Sequence, residues 1–289
     1  LGTSGLATSG LGEAAFATFA SVLRNGSGLV ISPDKLYLLK SRLAPILRAE
    51  KLDDLDALAE RLRAPATAAL RQRVIEAMTT NESFFFRDDK PFDYVRTQAL
   101  PRLHAARPAG ASLRIWSAAA SAGQEAYSLA MIVAEQRAAL GARVVEIIGT
   151  DIARGQLARA REGLYTQFEV QRGLPMRMLV KYFRKDGPNW RISEALRAAV
   201  QFREFNLLAD PRPLGQFDIV FCRNVLIYFD VPTKARVLAE LAGRMAPDGV
   251  LFLGGAETAL GISDRFVTHP PERAVYQLAG AAPGLALAG

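Results

Sequence analysis

The sequence predicts an α/β fold, a doubly wound parallel sheet carrying a small antiparallel insertion and preceded by an all-α segment. Three observations carry that reading. Apolar residues recur at helical spacing through residues 13–90. Short apolar, strand-like runs then alternate with helical ones from Leu113 onward. A turn-rich stretch over residues 166–205 breaks the alternation. Alternating strand and helix implies parallel strands with helices on both faces.

In the helical region, Ser32-Pro33-Asp34 reads as a helix start, with Ser at the cap and Pro in the first turn. Leu36, Leu39, Leu43, Ile46 and Leu47 form one apolar stripe, and Lys40 and Arg48 fall away from it. Asp53–Arg63 and Ala66–Met78 read as two further helices. No Gly occurs between Gly28 and Gly110, as packed helices joined by short turns require.

In the second region, Leu113–Ser117, Val144–Thr150, Phe217–Cys222 and Gly249–Leu253 are expected strands. The intervening Gly123–Arg137, Ala153–Arg161 and Pro232–Met245 are expected helices. Lys185-Asp186-Gly187-Pro188-Asn189 is a turn between Val180–Phe183 and Trp190–Ile192, the centre of the antiparallel insertion. Phe266–Leu278 reads as two strands around Pro270-Pro271. The expected domains are therefore residues 13–90 and 91–280, the latter carrying the insertion at about 166–205. In a parallel sheet ligands bind beyond the carboxyl ends of the strands, which points to the residues after Trp116, Thr150 and Cys222.

Composition narrows the function. The chain has 289 residues, half of them hydrophobic and 22% charged, as in a globular protein. No apolar run reaches the roughly 18–20 residues a membrane span needs. Residues 1–12 lack the basic start and long apolar centre of a secretory signal and read as a flexible leader. Cys222 is the one cysteine, which excludes a disulfide framework, and His104 and His269 lie far apart, which makes a multi-histidine metal site improbable. No metal is expected, and the location expected is the reducing cytoplasm. The net charge of +7 favours an acidic partner, although codon bias toward Arg would give the same number.

Four segments carry the chemistry. Ser117-Ala118-Ala119-Ala120-Ser121-Ala122-Gly123-Gln124-Glu125 joins a strand to a helix through small residues, which let a nucleotide-like ligand approach the backbone. An ordinary helix start would look the same. The dinucleotide pattern G-x-G-x-x-G is absent. Asp151, ending the next strand, can accept both hydroxyls of a ribose, or it can cap a helix. Phe221–Phe229 places Asn224 and Tyr228 where a substrate would meet a cofactor, with core packing the other use for the aromatics. Val225-Leu226 stands where amino-methylating DNA enzymes carry Pro-Pro, which argues against a base amine as acceptor. Thr79–Asp88 holds three consecutive Phe, a core or interface signal, interleaved with Asn81, Ser83 and Arg87.

Together and in this order, from about Ser32 to Leu278, these segments resemble the chemotaxis receptor methyltransferases, the CheR family. The resemblance implies a helical N-terminal domain, a class I methyltransferase Rossmann-like domain and a small antiparallel insertion. It implies S-adenosyl-L-methionine as cofactor, with S-adenosyl-L-homocysteine as product, and glutamates on the cytoplasmic domain of chemoreceptors as substrate. By resemblance, Asn81, Ser83 and Arg87 approach the cofactor, Glu125 holds its amino group and Asp151 its ribose. Asn206 and Leu207 border the adenine, Arg223 and Asn224 line the methyl, and Tyr228 matches an active-site tyrosine. Arg102 is a looser match for a partner of the cofactor carboxylate. Arg223, Asn224 and Tyr228 are the expected catalytic set. The basic helical domain, with Lys40 and Arg48, is expected to dock acidic receptor helices. The short segment between Phe183 and Leu196 argues against the receptor-tail pentapeptide tether that the family's insertion can provide.

Three other readings stay open: a nucleic-acid methyltransferase, favoured by the charge alone; a nicotinamide oxidoreductase, which lacks its glycine fingerprint; and a cofactor-binding adaptor without turnover. No nucleic-acid partner and no membrane insertion are expected.

Overall fold

The computed structural model describes residues 11–269 and 272–280. Most of the expected leader, Pro270-Pro271 and the tail from Ala281 lie outside these residues. Contacts divide the chain into a unit of Leu1–Thr80 with Tyr228–Asp230, and a unit of Asn81–Ile227 with Val231–Gly289.

The first unit is helical: α1 (Glu13–Ser27), α2 (Leu36–Glu50), α3 (Leu55–Arg63) and α4 (Ala68–Met78). Each contributes an apolar stripe, and Phe19, Leu23, Leu39, Leu43, Leu58, Leu62 and Val74 are fully buried. Burying such a side chain contributes roughly 1.5–3 kcal/mol. The expected helix start holds in position, with Ser32 at the N-cap and Pro33 in the first turn. Pro33–Lys35 forms a 3₁₀ turn, Ser32 makes no side-chain cap bond, and the α-helix starts at Leu36. Asp54 is a true cap, accepting from the Ala57 N–H at 2.8 Å. Lys40 and Arg48 are exposed, as the stripe requires. Arg42 donates to the Met78 and Thr79 carbonyls at 2.7 and 3.1 Å, closing the end of α4.

The second unit opens with α5 (Lys90–Tyr94), a π-helical stretch Val95–Ala99 and α6 (Leu100–Ala106). There follow β1 (Leu113–Ala118), α7 (Gln124–Glu135), α8 (Arg137–Leu140), β2 (Val145–Asp151), α9 (Arg154–Glu162) and β3 (Leu164–Tyr165). Then come α10 (Gln167–Gln171), α11 (Met176–Tyr182), β4 (Phe183–Asp186), β5 (Asn189–Ile192), α12 (Glu194–Ala198) and β6 (Val200–Glu204). The unit ends with β7 (Phe217–Cys222), α13 (Val231–Ala242), β8 (Met245–Leu253), β9 (Phe266–His269) and β10 (Glu272–Leu278).

The main sheet has seven strands in the order β6-β2-β1-β7-β8-β10-β9. The five from β6 to β8 are parallel, and β10 runs antiparallel to β8 and β9. This is the expected doubly wound sheet. A separate antiparallel sheet, β3-β5-β4, is the expected insertion. The antiparallel sheet runs from Leu164 to Ile192, starting just before residue 166 and ending short of 205, because Val200–Glu204 pairs parallel with β2 as an edge of the main sheet. The expected strand at Val180 is also corrected: α11 continues to Tyr182 and the strand begins at Phe183.

The core lies between sheet and helices. Phe221 and Phe252, both fully buried, stack with centroids 4.4 Å apart. At the amino end of the strands, Arg107 bridges Asp218 and Asp248, donating to Asp218 at 2.9 Å and to Asp248 at 2.6 and 2.8 Å. Asp218 also accepts from the Arg114 N–H at 2.7 Å, so one guanidinium and one carboxylate fasten the end of α6 to β1, β7 and β8.

Gly149 in β2 faces the Phe202 ring, and a Cβ there would stand 2.7 Å from it, closer than side-chain atoms approach. Gly149→Ala should therefore lower unfolding stability by about 1–3 kcal/mol. Urea denaturation tests this, and an unchanged midpoint would mean Phe202 has room to move.

Candidate active site

β1, β2 and β7 end level with one another, since Ala118 pairs with both Thr150 and Cys222. β8 ends beside them, with Leu253 opposite Cys222. The segments leaving these strands therefore start side by side, and the functional side chains sit on them.

The loop after β1 is wound tightly. Ala119, Ser121 and Gly123 alternate through the left-handed region with φ of 59°, 51° and 90°. A residue with a Cβ held there costs roughly 1–2 kcal/mol. Hydrogen bonds hold the loop against that strain. Ala120 N–H donates to the Thr150 carbonyl at 2.8 Å and Ser121 N–H to Asp151 Oδ2 at 2.8 Å. Ser121 Oγ donates to the Asn81 carbonyl at 2.9 Å, which brings the linker onto the loop. The other Asp151 oxygen accepts from Ala153 N–H at 2.8 Å. Two amides thus fix a buried carboxylate at the end of β2. The cap position of α9 belongs to Ala153, which rules out the simple cap reading of Asp151.

Glu125, in the first turn of α7, is held by two donors. Ser117 Oγ donates to Oε1 at 2.8 Å and Arg223 Nη1 to Oε2 at 3.2 Å. Burial pushes the Glu125 carboxyl above its ordinary value, while Arg223 and Ser117 oppose that shift. The Arg223 side chain is 1% exposed. It also donates to Asp88 Oδ2 at 2.5 Å and to the Arg87 carbonyl at 3.0 Å, with its guanidinium 5.7 Å from the Phe92 ring centroid. Arg223 thus stands behind Glu125 and orients it.

The linker is anchored by its aromatics. Phe85 is fully buried edge-on to Tyr165 and Phe183 at 5.0 and 5.5 Å, and Phe86 edge-on to Phe92 at 5.4 Å. Phe84 is only half-buried and carries the Arg172 and Arg87 guanidiniums, 4.3 and 5.4 Å from its centroid. So two of the three Phe are core and the third faces cations. Asn81, Ser83 and Arg87 lie on this anchored segment, all half-buried. Asn206 and Leu207 follow β6 beside Asp151, whose carbonyl accepts from Phe205 N–H at 3.0 Å. Asn224 sits just after β7 in the left-handed region, φ 57°.

One expected residue lies elsewhere. Arg102 donates to the Asp248 carbonyl at 2.8 Å at the amino end of the sheet, opposite the loops, so its match to a cofactor carboxylate is corrected. Tyr228 groups with the helical unit, where its carbonyl accepts from Val30 N–H at 3.0 Å. The sequence reading missed Ser117, Ser121 and Asp88 as partners, although all three lie inside segments it singled out. It missed Glu257 entirely, because no spacing marks that residue.

The groups brought together fit an adenosyl amino acid. A buried carboxylate at the end of β2 suits a diol, and a second, held at the start of α7, suits an ammonium. Gln124 Oε1 and Arg223 Nε are buried without a protein partner among the described residues, polar capacity that a polar ligand can meet.

Known proteins resemble the chain along most of its length. Residues 81–275 match the family model described as the CheR methyltransferase SAM binding domain, and residues 14–79 match its all-alpha domain. The chain belongs to the CheR methyltransferase family. Chemotaxis protein methyltransferase Cher2 of Pseudomonas putida is 37% identical over 278 residues, covering 95% of this chain and 97% of that one. Chemotaxis protein methyltransferase 1 of Pseudomonas aeruginosa is 38% identical over 277 residues, covering 94% and 97%. The chemotaxis protein methyltransferase of Vibrio parahaemolyticus is 38% identical over 252 residues, covering 86% and 90%. The cradle lies in the family's SAM-binding domain, and S-adenosyl-L-methionine is the cofactor it takes. Among the described residues no helix is long and apolar enough to cross a membrane, and no cluster of His, Cys, Asp and Glu could hold a metal.

Two outcomes are expected. Asp151→Ala removes a charged acceptor and should weaken binding of S-adenosyl-L-homocysteine by roughly 1.5–3 kcal/mol in calorimetry; undiminished affinity would take Asp151 out of the ribose role. The second concerns pH. The folded-state pKa of Glu125 is raised above 4.5, so the fold favours its protonated form. Its contribution to stability is present below the unfolded pKa and lost as pH rises through the folded one. An ammonium needs the ionised form, so ligand affinity should start to fall, on acidification, at a pH above the usual glutamate range. Titration calorimetry at successive pH values tests this, and an affinity flat down to 4.5 would separate Glu125 from the amino group.

Proposed function

We propose that the chain transfers methyl groups from S-adenosyl-L-methionine to glutamate side chains on the cytoplasmic domain of chemoreceptors, giving glutamate methyl esters. The observation that carries this reading is the buried Glu125–Arg223 pair standing beside an amide-clamped Asp151, in a site with no nucleophile-and-base set. Both of the chain's histidines lie outside it, and its cysteine is fully buried with burial pushing the thiol well up.

The chemistry fits those absences. Bound S-adenosyl-L-methionine supplies an electrophilic methyl group on a sulfonium. A glutamate acceptor has an ordinary pKa near about 4.3, so it reaches the site already ionised and needs no general base. The residues' work is orientation: Asp151 on the ribose, Glu125 on the amino group, Asn206 and Leu207 beside the adenine. Asn81, Ser83 and Arg87 close on the cofactor from the linker. Arg223 holds Glu125 and Asn224 lines the reacting end, while Tyr228 keeps the active-site role that the family resemblance implies. Alignment of this kind is worth roughly 7–11 kcal/mol of barrier.

The helical domain is the receptor-docking element in this reading. Receptor methylation helices are acidic by the family resemblance, and the exposed Lys40 and Arg48 offer them cations. The β4–β5 hairpin turns in two residues, Gly187 and Pro188, which supports recognition without a pentapeptide tether. The location that goes with this function is the cytoplasm.

The test is transfer of label from tritiated S-adenosyl-L-methionine to receptor-containing membranes, followed by base. Methyl esters release volatile methanol. A base-stable product, or label appearing on RNA, would overturn glutamate as the acceptor.

A further inference from the structure

The segment that carries Asn224 is held by a residue far from it in sequence. Glu257 follows β8 in the turn Gly254-Gly255-Ala256-Glu257, closed by a bond from its own N–H to the Gly254 carbonyl at 2.9 Å. Its carboxylate accepts three backbone N–H groups. Oε2 takes those of Gly254 and Asn224 at 2.6 and 2.8 Å, and Oε1 takes that of Ile227 at 3.2 Å. The Asn224 backbone is left-handed, φ 57°, a conformation that must be imposed. A carboxylate on the Asn224 amide imposes it, because charge-assisted bonds to backbone N–H groups are among the stronger ones a chain makes.

The contact is tight as well as charged. A Cβ on Gly254 would stand 2.7 Å from Asn224 Nδ2 and 2.7 Å from Glu257 Oε2. Gly254 is thus the floor on which the Asn224 side chain rests, and any larger residue would displace it toward the reacting end. Meanwhile Arg223, the preceding residue, is fixed independently by Glu125 and Asp88. The two neighbours are therefore positioned by separate carboxylates: Arg223 serves the cofactor's amino end, and Asn224 is aimed by Glu257.

We infer that Glu257, with Gly254 as its floor, is a positioning residue for methyl transfer, setting the orientation of Asn224 without touching the ligand. This rests on the reading of Asn224 as lining the reacting end. The clamp needs two acceptor oxygens. Glu257→Gln turns one of them into a donor that opposes an N–H, so at least one of the three bonds is lost at nearly constant size.

The test uses the full chain, with Glu257→Gln and Gly254→Ala measured side by side. Both should lower kcat at least about tenfold while the KM for S-adenosyl-L-methionine and the affinity for S-adenosyl-L-homocysteine stay within about twofold. The amide proton of Asn224, shifted downfield by its carboxylate acceptor, should move upfield in Glu257→Gln. The Ser121 amide, bound to Asp151, should stay where it is. Wild-type kcat in both variants would overturn the inference. So would a loss of kcat that merely follows a lowered Tm and returns when the assay is cooled. If the wild-type protein fails to methylate receptors, the function proposed above falls. The clamp is then decided on the amide shifts alone: a moved Asn224 signal with native Ser121 upholds it, and unmoved signals overturn it.

Discussion

The site depends on one guanidinium sealed inside the second unit. Arg223 is all but inaccessible, and a cation there would be prohibitively unstable without anions beside it. Glu125 and Asp88 supply them from α7 and from the linker. The requirement runs both ways. Burial alone pushes Glu125 toward its neutral form, and Arg223 draws it back toward the ionised one. Strand end, helix start and linker are thereby bound to one another by a single charge balance, and the anion is delivered where an ammonium can meet it.

The same logic governs the backbone. Ala119, Ser121 and Asn224 adopt a conformation that residues with a Cβ avoid, and all three follow the ends of adjacent strands. Side-chain carboxylates compensate: Asp151 takes the Ser121 amide and Glu257 takes the Asn224 amide. The usual glycine-rich turn is therefore replaced by small residues plus acids that hold the loop shape.

Much of this was legible in the sequence. β7 was bounded at both ends by its apolar run, because a central strand buried on both faces is apolar throughout except for Asp218, which Arg107 and the Arg114 N–H satisfy. The ligand end followed from the parallel alternation and Asp151 from its place at a strand end, while Glu125 was singled out by the family resemblance. What escaped detection was long-range. β6 was absorbed into the insertion because Gln201, Arg203 and Glu204 give an edge strand a polar face. Glu257 was invisible because its partners are backbone amides, which leave no residue signature. Arg102 was misplaced because the helix bearing it delivers it to the opposite end of the sheet, a matter of topology that local pattern cannot show.

Because amides of the chain itself already clamp Asp151, that carboxylate is fixed in place before any small molecule arrives. The groups it and Glu125 are suited to grip, a diol and an ammonium, are common to the methyl donor and to its spent thioether. Neither contact distinguishes the two. The spent form will then compete with fresh donor, and the flux of such an enzyme will follow the ratio of the two in its surroundings as much as their absolute amounts.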